Sequence, residues 1–317
     1  MTMALIFPGQ GSQSPGMGKA LAENFAVARH VFEQVDNELD QDLAKLMFEG
    51  PEAELTLTSN AQPALMAVSV AVMRVLEAEA GLDVARDAAF VAGHSLGEYS
   101  ALVAAGSLEI ADAARLLRLR GDSMQLAVAP GEGAMAALLG LAEGLAEQIA
   151  SDAADETGGV CQVANDNGGG QIVVSGTKAA VERAMELARA RGAKRAIALA
   201  VSAPFHCSLM HEAAAEMEIA LRETGLRKLR LPMVSNVTAK SVIDPTQIAP
   251  LLVRQITNTV RWRESVEFMA AQGVTHFYEL GSGKVLSGLV KRIAAGTSAT
   301  SIGMPGDIDG FRNRASS

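Results

Sequence analysis

Apolar residues along the chain fall into short runs typical of buried strands, each followed by a stretch with helical spacing. The run MALIF at 3–7 leads into a glycine-rich loop and a helix from about Met17. The run that ends at Val91 leads through a short turn into the helical segment EYSALVAAG. Later in the chain, THFYELG predicts another strand and is followed by a helix from about Val285. This alternation predicts a mostly parallel sheet flanked by helices.

The pattern changes near Pro130. The run AMAALLGL predicts a strand, VCQVANDNGGGQIVVSG predicts a hairpin with a glycine turn, and AKRAIALAV predicts a last strand, with one helix on either side of the hairpin. The order β-α-β-β-α-β is that of the ferredoxin-like split unit. We therefore expect an α/β protein: an α/β-hydrolase-like large domain over 1–129 and 200–317, and an inserted ferredoxin-like small domain over 130–199.

The remaining apolar pattern predicts two more helices and an irregular end. A long helix is expected to start near Gln62, and another is expected from Leu108 to about Val128. The segment after Ile302 is rich in Gly, Asp, Arg and Ser, so we expect it to be loosely held. No stretch comes close to the roughly 18 to 20 apolar residues of a membrane span.

Net charge and cysteine content argue against several classes of protein. The 317 residues carry a net charge of −9, which argues against a general nucleic-acid binder because such proteins need a cationic face. Cys161 and Cys207 are the only cysteines, too few for a disulfide scaffold and not in a metal-ligand pattern. The N-terminus lacks the basic segment of a signal peptide. We expect a cytoplasmic protein without a membrane or metal.

The strand ending at Val91 is followed by Gly93-His94-Ser95-Leu96-Gly97, a G-x-S-x-G arrangement. Glycines on both sides of a serine allow a very tight turn from strand to helix, so that the hydroxyl stands exposed at its tip. The helix that follows directs free backbone N–H groups at any oxyanion formed there. The alternative is an ordinary strand-to-helix turn with a serine near the helix start.

Two glycine-rich loops suggest nucleotide binding, and both lack its pattern. Around Gly9 and Gly11 the dinucleotide fingerprint would need glycine in place of Ser14, and no strand with a terminal acidic residue follows about 20 positions later. In GSGKVLSG, Lys284 is followed by Val285, where a phosphate-binding loop needs Ser or Thr.

A nucleophilic serine needs a base, and the chain has five histidines. His206 follows a predicted strand and precedes a helix, so it lies with Ser95 beyond the carboxyl ends of the strands, where open α/β sheets gather their sites. His94 adjoins Ser95 in an extended segment, so its side chain is expected to point to the opposite face. A helix-capping role for His206 is the alternative, and no acidic residue stands out to orient it.

One arginine on the helix after Leu108 differs from its neighbours. Arg120 has Leu116, Leu117 and Met124 at helical spacing, so it is expected to face inward. A buried guanidinium must be paired. Its partner is either a structural carboxylate of the protein, which spacing alone favours slightly, or a substrate carboxylate held by the planar fork.

Together these segments resemble the malonyl-CoA:acyl carrier protein transacylases of fatty-acid synthesis, which are related to the acyltransferase domains of polyketide synthases. The resemblance runs over nearly the whole chain and rests on motifs that occur in the same order: FPGQGSQ at 7–13, GHSLGEYSAL at 93–102, RG at 120–121, PFHCSLM at 204–210, VRQITNTVRW at 253–262 and YELGSGKVLSGL at 278–289.

The resemblance implies a serine–histidine pair that works without a carboxylate. Ser95 would be the nucleophile and His206 the base, held by the main-chain carbonyl of Gln255. The backbone N–H groups of Gln10 and Leu96 would form the oxyanion hole.

For the substrate, the resemblance implies that Arg120 pairs with the malonyl carboxylate, against the preference from spacing. Phe205 and Met124 would contact the acyl group, and Asn165 would lie near the site. The segment APFH resembles the His-Ala-Phe-His motif of malonyl-selective acyltransferases but departs from it at the first two positions, so malonyl selectivity rests on Phe205.

The implied reaction moves a malonyl group from malonyl-CoA to Ser95 and then to the phosphopantetheine thiol of acyl carrier protein, with no bound cofactor and no metal. A polyketide acyltransferase, a serine thioester hydrolase and a non-catalytic docking module are the alternatives.

Carrier proteins of this pathway are strongly acidic, so a local basic patch is expected. The candidates are two groups of basic residues: Arg191, Lys194 and Arg195, and Lys284, Lys291 and Arg292.

Overall fold

The computed structural model describes residues 2–142 and 144–315 and contains two sheets. The larger sheet has the order β11-β10-β1-β2-β7-β8, and all its neighbouring strands are parallel except β7 and β8. Its strands are β1 (Met3–Phe7), β2 (Ala88–Gly93), β7 (Met233–Val234), β8 (Ser241–Val242), β10 (His276–Leu280) and β11 (Ser298–Ile302). The predicted α/β class with a mostly parallel sheet is confirmed.

The smaller sheet has the order β6-β3-β5-β4-β9. Its strands are β3 (Gly133–Leu139), β4 (Cys161–Asp166), β5 (Gln171–Thr177), β6 (Arg195–Ala198) and β9 (Val260–Arg261). The first four are antiparallel in the ferredoxin-like arrangement, as predicted. β9 comes from a distant part of the chain and pairs in parallel with β4, Asn165 opposite Val260. The domain boundaries at 130 and 199 stay a prediction.

Helices cover both sheets. In chain order they are α1 (Lys19–Asn24), α2 (Ala26–Leu39), α3 (Leu43–Glu49), α4 (Glu52–Thr56), α5 (Thr58–Ala80), α6 (Val84–Asp87), α7 (Gly97–Ala104), α8 (Ile110–Leu126), α9 (Leu145–Thr157), α10 (Lys178–Ala190), α11 (His211–Glu223), α12 (Pro245–Thr257), α13 (Trp262–Ala271), α14 (Val285–Ile293) and α15 (Pro305–Ala315). A short 3₁₀ helix, Ser208–Met210, precedes α11.

Helix α5 is the centre of the large core. Its 23 residues are long and apolar enough to cross a membrane, contrary to the expectation that no stretch comes close. The spanning length of this helix is not evident from the sequence, because Ser and Gln interrupt the apolar run. They lower its mean hydropathy only partly, so the helix as a whole remains apolar. However, 83% of its most apolar window is buried inside the protein, where α5 packs against α2, α7 and α8. Its apolar surface is therefore already covered by protein.

The end of the chain differs from the expectation. The residues after Ile302 form α15 instead of a loosely held tail, and positions 316–317 lie outside the described residues. Ile308 and Phe311, three positions apart, are buried, and the Phe311 ring packs edge-on against Tyr278 at 4.9 Å between centroids. Two apolar side chains on one helix face therefore outweigh the glycine-rich and charged composition around them.

Candidate active site

The turn at Ser95 is as tight as the motif predicts. Ser95 has a φ of 52°, in the left-handed region, at the junction of β2 and α7. A Cβ on Gly97 would lie 2.3 Å from the carbonyl oxygen of Phe7, and one on Gly93 would lie 1.9 Å from the carbonyl carbon of Gly97. Glycine is therefore required on both sides of the serine, because any side chain would collide with backbone.

The structure brings Ser95 and His206 together. Ser95 Oγ lies 2.8 Å from His206 Nε2, and His206 Nδ1 lies 2.7 Å from the main-chain oxygen of Gln255. Because a carbonyl can only accept, Nδ1 carries the proton and Nε2 is left to accept from the serine hydroxyl. Burial, reinforced by the charge of Arg120, lowers the pKa of His206 to about 3. The imidazole is thus neutral at pH 7, the form in which Nε2 can accept a proton.

Arg120 faces inward beside this pair and is 2% exposed. Its Nη2 donates to Ser95 Oγ at 3.0 Å and to Gln255 Oε1 at 2.9 Å, while Nη1 donates to Gln62 Oε1 at 2.7 Å. Within residues 2–142 and 144–315 no carboxylate forms an ion pair with it. The partners of Arg120 within the protein are therefore two amide side chains and the Ser95 hydroxyl, and the structural carboxylate that the helical spacing favoured is wrong.

Two residues that line the same cavity as Ser95 have backbone N–H groups that lack an acceptor in the described part of the chain. These N–H groups belong to Gln10, in the loop after β1, and to Leu96, which precedes α7. The Gln10 side chain is fixed by a hydrogen bond that its Oε1 accepts from the hydroxyl of Thr58 at 2.6 Å. Free N–H groups that line a cavity around a serine hydroxyl form a suitable site for an oxyanion.

Ser95, His206 and Arg120 line one cavity of about 330 Å³. The other residues predicted for the site also line it: Gln10, Leu96, Met124, Asn165 and Phe205. Gln255 is not in this lining and reaches the site through its hydrogen bonds. A wider groove of about 1160 Å³ lies away from the site, along α2 and α5.

His94 lies in the lining of the same cavity, which corrects the expectation that it points away. Its Nε2 is 2.9 Å from Asn167 Oδ1, in the turn between β4 and β5, and burial lowers the pKa of the ring. The alternation of side chains along an extended segment ends at the tight turn, so His94 and Ser95 need not point to opposite faces. This contact connects the serine turn to the smaller sheet.

Three buried residues of the site had no sequence signal of their own: Gln62, Glu98 and Asn236. The Asn236 side chain accepts from the N–H of Ser95 at 2.8 Å and donates to the carbonyl of Gly93 at 2.7 Å. The Glu98 carboxyl accepts from the N–H of Asn236 at 2.6 Å and from Gln255 Nε2. Asn236 lies two residues beyond the carboxyl end of the short strand β7, a position that could have drawn attention to it.

No group of three or more His, Cys, Asp or Glu side chains in the described residues is arranged to hold a metal ion. The cavity lining offers a hydroxyl, an imidazole, a guanidinium and backbone N–H groups.

Comparison with known proteins gives a consistent result. Residues 4–314 match the family model described as acyl transferase domain. The chain is 46% identical over 307 residues to the malonyl CoA-acyl carrier protein transacylase of Bacillus subtilis (strain 168), covering 97% of this chain and 95% of that protein. The crystal structure of the acyl-carrier-protein-S-malonyltransferase from Bartonella henselae is similar with a TM-score of 0.97 and 53% identity, covering 100% of both chains. A malonyl-transacylase in complex with a type II PKS acyl-carrier protein has a TM-score of 0.95 and 42% identity, covering 99% of this chain and 100% of that chain.

Proposed function

Because the chain belongs to the acyl transferase domain family, we propose that it transfers a malonyl group from malonyl-CoA to the phosphopantetheine thiol of acyl carrier protein. The observation that carries the proposal is the Ser95–His206 contact of 2.8 Å beside a buried arginine that has no carboxylate partner among the described residues. The first feature provides a nucleophile, and the second provides a cation for the malonyl carboxylate.

In the first half-reaction, Ser95 Oγ attacks the thioester carbonyl carbon and its proton passes to His206 Nε2. The N–H groups of Gln10 and Leu96 stabilise the negative oxygen of the tetrahedral intermediate. The carbon–sulfur bond then breaks, the CoA sulfur takes the proton from His206, and the malonyl group remains as an ester on Ser95.

In the second half-reaction, the carrier-protein thiol gives its proton to His206 and attacks the ester carbonyl. The bond to Ser95 Oγ breaks, and Oγ recovers the proton. One thioester has been exchanged for another, so no ATP is required. Two substrates that use one site in turn predict ping-pong kinetics.

Arg120 is proposed to bind the malonyl carboxylate, since a guanidinium fork can donate two parallel hydrogen bonds to a carboxylate. Phe205 and Met124 supply apolar contact to the three-carbon chain, and Asn165 and His94 also line the cavity. We place the protein in the cytoplasm, where its two buried free cysteines would stay reduced.

The test is incubation with radiolabelled malonyl-CoA, with and without carrier protein. We expect a stable label on Ser95 that is discharged by carrier-protein thiol, and no label on Ser95→Ala. Rapid loss of label to water would indicate a thioester hydrolase, and no label on the unmodified chain would indicate a docking module. Transfer to fatty-acid and polyketide carrier proteins in parallel separates the two pathways.

A further inference from the structure

The guanidinium of Arg120 is held by two glutamine side chains. Gln62, on α5, accepts from Nη1 at 2.7 Å, and Gln255, on α12, accepts from Nη2 at 2.9 Å. These two glutamines are 1% and 0% exposed. Both acceptors are amide oxygens, which fix the direction of the guanidinium but carry no net charge.

The positive charge of Arg120 is therefore oriented without being compensated. A buried carboxyl, Glu98, lies behind Gln255, but its oxygens accept from the Asn236 N–H and from Gln255 Nε2 rather than from Arg120. Burial raises the pKa of Glu98 to about 8, so most of this carboxyl is uncharged at pH 7. A buried cation in this state gains most from a ligand that brings a negative charge.

We propose that Gln62 and Gln255 are specificity-determining residues: they orient Arg120 while leaving its charge available, so that the site prefers acyl groups that carry a carboxylate. This inference rests on the proposed function. A glutamate at either position would occupy the guanidinium permanently. The site would then repel a malonyl carboxylate and accept neutral acyl groups.

Gln62 offers the sharper test because its contacts are few. Its Oε1 accepts from Arg120, and among the described residues the single hydrogen-bond partner of its Nε2 is the sulfur of Met124, at 3.8 Å. Gln255 has more roles, since its Nε2 also donates to the carbonyl of Ser95 and its main chain holds His206. Gln62→Glu keeps the size and the acceptor of the side chain and adds one negative charge.

The experiment measures acylation of Ser95 by malonyl-CoA and by acetyl-CoA, using rapid quench and intact-protein mass spectrometry. In Gln62→Glu we expect kcat/KM for malonyl-CoA to fall about a hundredfold or more, while acetyl labelling rises. Gln62→Leu removes the same hydrogen bond without adding charge, so malonyl labelling falls but acetyl labelling does not rise. If Gln62→Glu does not fold, Gln255→Glu should change the malonyl-to-acetyl ratio in the same direction.

A second arginine–glutamine pair provides a matched control. Arg118, on the same helix as Arg120, donates to the side-chain oxygen of Gln41, and neither Arg118 nor Gln41 lines the cavity. Gln41→Glu therefore adds the same charge beside an arginine outside the site, and it should leave the malonyl-to-acetyl ratio unchanged. The inference is overturned if Gln62→Glu and Gln62→Leu change that ratio equally, or if neither changes it. Absence of malonyl label on the unmodified protein would instead contradict the proposed function.

Discussion

Ser95 and His206 share an uncommon backbone conformation. Their φ angles are 52° and 61°, both in the left-handed region, which costs non-glycine residues about 1–3 kcal/mol each. At Ser95 the surrounding structure maintains this conformation, because Asn236 accepts from its N–H and Gln255 donates to its carbonyl. In this conformation the serine Oγ and the imidazole Nε2 lie 2.8 Å apart.

The lowered pKa of His206 predicts an unusual pH profile for acylation. With the pKa near 3, the imidazole is neutral throughout the physiological range and stays so as pH falls to about 5. We expect kcat/KM for malonyl-CoA to change by less than about twofold between pH 7.5 and 5.5, where a histidine of ordinary pKa would lose about tenfold. Single-turnover labelling at each pH measures this directly.

The variant Arg120→Ala tests the cause of this pH profile. The charge of Arg120 helps to lower the pKa of His206, so its removal should move the acid limb to higher pH when acetyl-CoA is the substrate. A loss of acylation centred near pH 6.5 in the unmodified protein would show that the imidazole is not shielded in this way.

At this scale the sequence predicts residues that belong to local patterns. Ser95 stands in a G-x-S-x-G turn, His206 at a strand end, and Arg120 in an apolar helix stripe. The partner of Arg120 could not be predicted, because Gln62 is 58 positions away and a buried glutamine has no pattern that marks it. Contacts of this kind depend on how the helices pack.

The elements that the sequence predicts are those with several consecutive apolar residues. The strands β1, β2 and β10 and the ferredoxin-like unit follow from such runs. The strands β7 and β9 have two residues each, which is too short for any periodicity, and they form because a neighbouring strand offers an unpaired edge. The strand β11 was not predicted because it contains serine and threonine residues in place of an apolar run. It nevertheless pairs with β10 along its whole length.

The crossing of α5 and α8 determines where Gln62 meets Arg120. At Gly121 the helices approach so closely that a Cβ would lie 2.6 Å from the Cα of Ser59 and 2.7 Å from the carbonyl oxygen of Thr58. We expect Gly121→Ala to lower the free energy of unfolding by about 1–3 kcal/mol, because backbone must move to make room. The variant should also slow malonyl labelling, because the displaced start of α5 carries Gln62 and would shift it away from Arg120. Chemical denaturation and labelling measure the two effects.

The matched change is Gly310→Ala in α15. A Cβ there meets nothing within 4 Å, so alanine should be neutral or stabilise the helix by up to about 1 kcal/mol. Equal stability of the two variants would contradict the close helix crossing at Gly121.

For the whole molecule, the site depends on both sheets. Ser95 and Arg120 come from the elements around the larger sheet, whereas Asn165 and Asn167 come from β4 of the smaller sheet and the turn after it. Strand β9, which follows β7 and β8 of the larger sheet along the chain, pairs with β4 inside the smaller sheet. The cavity therefore exists only when both units are folded, and this arrangement was implied by the family resemblance rather than by any local pattern.

A net charge of −9 makes docking of an acidic carrier protein unfavourable unless a local basic patch attracts it. Of the two predicted groups, the one on and beside α14 has the better position. Lys284, Lys291 and Arg292 are exposed, and the same helix lines the cavity through Val285, Leu286 and Leu289. In the other group, Arg191 is already paired with Asp152.

We therefore expect Lys291→Glu to raise KM for carrier protein about two- to fivefold, and Arg191→Glu to change it less. Because exposed charges are screened by salt, KM for carrier protein should also rise with ionic strength more than KM for malonyl-CoA does. Steady-state transfer assays at two salt concentrations, with each substrate varied in turn, provide both comparisons. If Arg191→Glu has the larger effect, docking takes place on the smaller sheet's unit. If both KM values respond equally to salt, the attraction is not specific to the carrier protein and the basic patch on α14 has no role in docking.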